Sequence, residues 1–101
     1  LLTAFAISYR EEAFFRAYLL TRFEQLSMHP VTSVVIAAAV FSIGHAYQGS
    51  GGVAVAFVLG LYLGWIYIRR RNVHVVAIAH GLYNFTVLAV SALGVEFHLT
   101  E

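Results

Sequence analysis

The chain has no cysteine and no aspartate, a single proline, and little charge, confined to Arg10–Glu24, the run Arg69-Arg70-Arg71 and the last six residues. Without cysteine there are no disulfides and no thiolate metal sites. Without aspartate a Ser-His-Asp triad cannot be built, and Ser8, Ser42 and Ser91 lack the glycine-flanked elbow of a hydrolase serine. Only 11% of the residues are charged, and none lies between Glu24 and Arg69 or from Asn72 to Val95. Ordinary soluble domains carry about 25%, and 101 residues give too much surface for so few charges to cover. A net charge of +1, with no basic stripe interleaved with aromatics, gives no reason to expect a nucleic-acid partner. No signal peptide is recognisable. The sequence opens on Leu1-Leu2-Thr3 rather than on methionine and reads as an excerpt of a longer protein, residues 1–101 forming one core.

What is present is apolar. Sixty per cent of the residues are hydrophobic and the mean hydropathy is +0.80. Four runs stand out: Leu1 to about Leu26, Val31 to Tyr47, Val53 to Ile68, and Val73 to Val95, followed by a short polar end, Glu96 to Glu101. Ser27-Met28-His29-Pro30 separates the first two, because proline suits a first helical turn but not a helix interior. Gln48-Gly49-Ser50-Gly51-Gly52 reads as a flexible turn. The runs lack strand-like alternation, exceed ordinary strand length, and approach the ~20 residues that cross a hydrocarbon core. The expectation is an all-α integral membrane bundle of four antiparallel transmembrane helices, the short second one tilting or extending into the glycine turn. Arg22 and the run Arg69-Arg70-Arg71 fall on one side and the uncharged glycine turn on the other, so the arginine-rich turns are expected in the cytoplasm. The arginine run itself reads as an anchor at the lipid surface. Asn84-Phe85-Thr86 matches a glycosylation sequon but lies inside a helical run.

Charges inside such helices read as functional by default. Glu12 and Arg16 are four apart, acid first, the favourable spacing for an ion pair on one face. Glu11 points about 100° away from Glu12. It is therefore expected without that partner and free for proton transfer. A solvated ion-pair face is the plainer alternative, which the apolar flanks disfavour. His45 closes the second run in Phe41-Ser42-Ile43-Gly44-His45; the fourth holds His80-Gly81-Leu82-Tyr83-Asn84. A lone histidine on an apolar face is usually a hydrogen-bonded core residue, but position argues for more here. In an antiparallel hairpin turning near residues 28–29, Glu11, Glu12 and His45 share one depth; about residue 72, His80 falls opposite Gly64 and Asn84 opposite Gly60. The two glycines leave room for a substrate chain, bring the fourth helix inward, or simply pack. His80 and Asn84, four apart, present two hydrogen-bonding groups on one face, as an oxyanion hole requires. Glu11 with His45 would hold and deprotonate a water, and base plus oxyanion stabiliser is the equipment of acyl transfer to water. Glu11, His45 and His80 could instead ligate zinc, although no His-Glu-x-x-His pair is present.

Glu11-Glu12-x-x-x-Arg16, Phe41-x-x-x-His45 and His80-x-x-x-Asn84, in that order, resemble the motif set of the CAAX proteases and bacteriocin-processing enzymes. This CPBP or Abi family of intramembrane proteases includes the type II CAAX prenyl endopeptidases. The resemblance spans about Ser8 to Phe85. It implies that Glu11 and His45 activate a water, that His80 and Asn84 stabilise the oxyanion, and that Glu12 and Arg16 support the site. It favours a glutamate-dependent mechanism with no cofactor over the older metal-dependent description, which would use zinc. It also implies a peptide or prenylated protein as substrate, membrane lipid as surroundings, and a prokaryotic plasma membrane as location. A catalytically silent scaffold or immunity-type protein on the same helices is the alternative from another class.

Overall fold

The computed structural model of the protein describes residues 2–93, and no strand occurs among them. The first rod begins as α1 (Leu2–Glu12), widens into a π-helical segment (Ala13–Leu20) and ends as the short α2 (Thr21–Gln25). Then come α3 (Pro30–Ile43), a 3₁₀ turn (Ala46–Gln48), α4 (Gly49–Arg70) and α5 (Val73–Ala92). The fourth helix was expected to reach Val95; residues 94–95 and the polar end Glu96 to Glu101 lie outside the described residues.

Local chemistry sets the ends. His29 Nδ1 accepts from the Val31 N–H at 3.2 Å, and Pro30 occupies the first turn of α3. The Asn72 side-chain oxygen caps α5 by accepting from the His74 N–H at 2.9 Å. Ser27 and Arg71 take the left-handed conformation, with φ of 60° and 52°, and reverse the chain after the first rod and after α4.

The glycine run differs from its expectation. Only Gly49 has a positive φ, of 86°, and Gly49 itself opens α4. The loop lies earlier, because α3 stops at Ile43 and leaves His45 in the turn beyond it. Packing decides this against propensity. Gly52, Ala56, Gly60 and Gly64, spaced by four, form a buried small-residue stripe along α4. A side chain at Gly60 would meet the Ala38 backbone at 3.0 Å, and one at Gly64 would meet Val34 at 3.0 Å. The two glycines thus seat α3 on α4; the expectation that they bring the fourth helix inward is corrected. Short side chains on both surfaces allow the backbones to approach, the usual device between apolar helices.

The other pair is α1 with α5, where Gly81 lies beneath the Phe5 ring. With α4 committed to α3 and α5 to α1, α4 and α5 leave an apolar groove between them, lined by Val55, Val58, Leu59, Tyr62 and Tyr83. Leu20, Val34, Ala37, Leu63, Tyr67 and Val76 join the rods in one core.

Four rods are therefore present, but length and hydropathy separate them. Ala46–Arg70 and Val73–Ala92 are long and apolar enough to cross a membrane. α3, at 14 residues, reaches only about 21 Å at 1.5 Å per residue, short of a hydrocarbon core of roughly 30 Å.

Candidate active site

Ala4, Ser8, Glu12, Arg16 and Leu20 are all buried on the first rod. They follow one another at steps of four. In an α-helix each such step overshoots a full turn by about 40°, so a four-residue stripe drifts around the rod. A π-helix bonds five residues apart and holds more than four per turn, so the same step falls short. The change of helix type after Glu12 cancels the drift. It keeps one small, polar and charged stripe facing the neighbouring helices over the length of the rod.

Glu12 is fully buried and has two partners. Its Oε1 lies 3.3 Å from Arg16 Nε, as the four-residue spacing predicts. Its Oε2 accepts from His80 Nδ1 at 2.8 Å. The second contact crosses from the first rod to α5. Since an ionised carboxylate only accepts, the bond places a proton on Nδ1 and turns Nε2 toward Glu11, whose Oε1 is 3.6 Å away. Glu11 therefore does not stand apart: the rod puts both acids beside one imidazole. Their exposures differ, however, with Glu11 at 22% and Glu12 at 0%.

Arg16, 1% exposed, extends the network to α4 and α3. It donates from Nη2 to the Gly60 carbonyl at 3.2 Å, and its guanidinium lies 5.0 Å from the Phe41 ring centre. Gly60 thus serves twice, its missing side chain admitting α3 and its carbonyl accepting from the arginine.

Phe41, 1% exposed, is the ring on which the histidines meet. His80 stands edge-on to it at 5.6 Å between centres, and His45 is tilted against it at 4.6 Å. His45 Nδ1 pairs with the Phe41 carbonyl at 2.9 Å. A carbonyl only accepts, so the proton is on Nδ1 and Nε2 is left for another partner. His45 is half-buried, while His80 is 2% exposed.

Asn84 is half-buried one turn beyond His80 and donates from Nδ2 to Ser8 Oγ at 3.2 Å. His80 and Asn84 thus share a face of α5 turned to α1, and each is held there by a residue of the acid-bearing rod. Two participants were not singled out by sequence reasoning, Ser8 and the Gly60 carbonyl. Ser8 did carry a signal, standing four residues before Glu12 on the same face.

The zinc alternative needs Glu11, His45 and His80 together. Glu11 adjoins His80, but among the described residues no three of His, Cys, Asp and Glu are grouped so that they could hold a metal ion. What the structure assembles is a buried acid–imidazole–arginine network with a second, more exposed acid at its edge.

No curated protein and no solved structure matches the chain. The sequence model described as "Type II CAAX prenyl endopeptidase Rce1-like" matches residues 1–86. That span covers the first rod, α3, α4 and the part of α5 bearing His80 and Asn84. The family is membrane-embedded and its membership implies a peptidase, in keeping with the two membrane-length helices. The chain belongs to the Rce1-like family of type II CAAX prenyl endopeptidases.

Proposed function

We propose that the chain is the core of an intramembrane endopeptidase that hydrolyses a peptide bond in a prenylated or otherwise membrane-held protein. The observation that carries this is the convergence of Glu11 and Glu12 on His80, with Arg16 closing the network behind Glu12. A scaffold has no use for four ionisable groups placed between apolar helices, where each is costly unless paired.

In this reading Glu11 is the general base, because it is the more exposed of the two acids, and His45 helps to orient the water. Glu11 takes a proton as the water oxygen bonds to the scissile carbonyl carbon. The carbonyl oxygen, now negative, is stabilised by Asn84 and by His80 through Nε2–H. Glu11 then returns the proton to the departing amine, so the site ends as it began. Donation through Nε2–H requires His80 to carry both ring protons, with Nδ1–H on Glu12. Two carboxylates, one guanidinium and one imidazolium sum to zero charge, which suits burial in lipid.

Lipid surroundings also explain the distribution of polarity. Large side chains face outward along every rod, among them Phe14, Val40, Val58, Trp65, Ile78 and Leu88. The buried polar set is Ser8, Glu12, Arg16, Ser33, Ser42 and His80. In water such apolar cover would exceed what a monomer exposes.

The test is hydrolysis of a prenylated CAAX peptide by the membrane-reconstituted protein. Glu11→Ala and His45→Ala should each abolish cleavage while leaving expression and thermal stability near wild type; normal turnover by Glu11→Ala rules out the assigned base. Activity that persists in a chelator supports the glutamate mechanism, whereas loss restored by added zinc transfers the reading to a metal site.

A further inference from the structure

Ser8 is 0% exposed, so it cannot touch substrate, yet it bonds to the side chain of Asn84. Its hydroxyl lies 2.7 Å from the Ala4 carbonyl and 3.2 Å from Asn84 Nδ2. The shorter contact fixes the direction of the chain. A carbonyl oxygen can only accept, so the Ser8 hydrogen goes to Ala4 and only lone pairs remain toward Asn84. The carboxamide must then present Nδ2, not Oδ1, to α1, since two acceptor oxygens facing each other would repel. One proton of the Asn84 amide is used in this way and the other is left for a different acceptor.

We propose that Ser8 is a positioning residue for the reaction, setting which end of the Asn84 carboxamide faces α1 and hence which proton is offered to the substrate oxygen. This rests on the reading of Asn84 as an oxyanion donor. Without the serine hydroxyl the amide loses its reference: either end can turn toward α1, and orientations offering Oδ1 to a developing anion are repulsive. Such a loss falls on the transition state rather than on substrate binding, so kcat drops and KM does not. Ala4 supplies the fixed end through its backbone.

The experiment is a double-mutant cycle on the full protein in membranes, with a prenylated CAAX peptide as substrate and thermal unfolding recorded for every variant. Asn84→Ala should lower kcat by roughly 10²–10³, the usual cost of one oxyanion donor. Ser8→Ala, which removes one oxygen atom and adds no bulk, should lower kcat about tenfold with KM within about twofold, the size of one modest hydrogen bond. In the Asn84→Ala background Ser8→Ala should have no further effect on kcat. An equal loss in both backgrounds shows that Ser8 acts independently of Asn84 and overturns the proposal, as does an unchanged kcat in Ser8→Ala while Asn84→Ala is impaired. Wild-type turnover by Asn84→Ala overturns the oxyanion assignment itself, an outcome distinct from failure of Ser8 alone.

Discussion

Arg16 joins three helices through one planar group: Glu12 on its own rod, the Gly60 carbonyl of α4, and the face of Phe41 on α3. Lysine has neither the fork nor the flat face for this combination. Arg16→Ala would leave Glu12 buried with His80 as its remaining partner. Breaking a buried pair from one side typically costs about 3–5 kcal/mol. The expected outcome is a large fall in thermal stability in detergent, with Arg16→Lys recovering only a part; full recovery by lysine would show that charge alone is needed. The four-residue spacing made the Glu12–Arg16 pair legible in the sequence, because it is local. It could not reveal that His80, 68 residues away, bonds to the same acid. Nor could it show that Glu11, free by local geometry, comes to lie beside that imidazole.

Among the elements, the small-residue stripe of α4 holds α3 in place and with it Phe41 and His45. Gly60→Val would force the Ala38 backbone away and crowd the Phe41 ring. Overpacking a close helix contact typically costs about 1–3 kcal/mol. Cleavage should fall more than stability in this variant, because the displaced α3 carries Phe41 and leads into the turn that holds His45. Matched measurements of turnover and unfolding temperature check this, and an unfolding shift with turnover intact would separate packing from catalysis. The π segment is the second device at this scale. An apolar run such as Ala13-Phe14-Phe15 reads as helix of either type, so the widening is invisible in composition. It appears only once neighbours select which side of the rod must stay buried.

For the molecule as a whole, the prediction concerns orientation in the bilayer. Arg69, Arg70 and Arg71 gather at the end where Arg71 pairs with Glu24, while the turn holding Tyr47 lies at the other end of α4. The 101 residues contain no cysteine, so a thiol introduced among them has no competitor within this stretch. In intact cells an impermeant maleimide should label Tyr47→Cys, and should label Arg70→Cys only after permeabilisation, as the positive-inside bias requires. Labelling of the two sites in the reverse order would invert the assigned topology.

The helical class, the breaks at Pro30 and Asn72, the Glu12–Arg16 pair, and the shared face of His80 and Asn84 were legible in the residues alone. All of these follow from turn chemistry and from contacts within about one helical turn. Tertiary structure alone decided that α3 pairs with α4 and α1 with α5, that the glycine run opens a helix, and that both acids meet one histidine. Those outcomes depend on which surfaces approach most closely. Nearly uniform apolar helices carry little periodic contrast to announce that choice, so it is made by the fit of small residues against their neighbours.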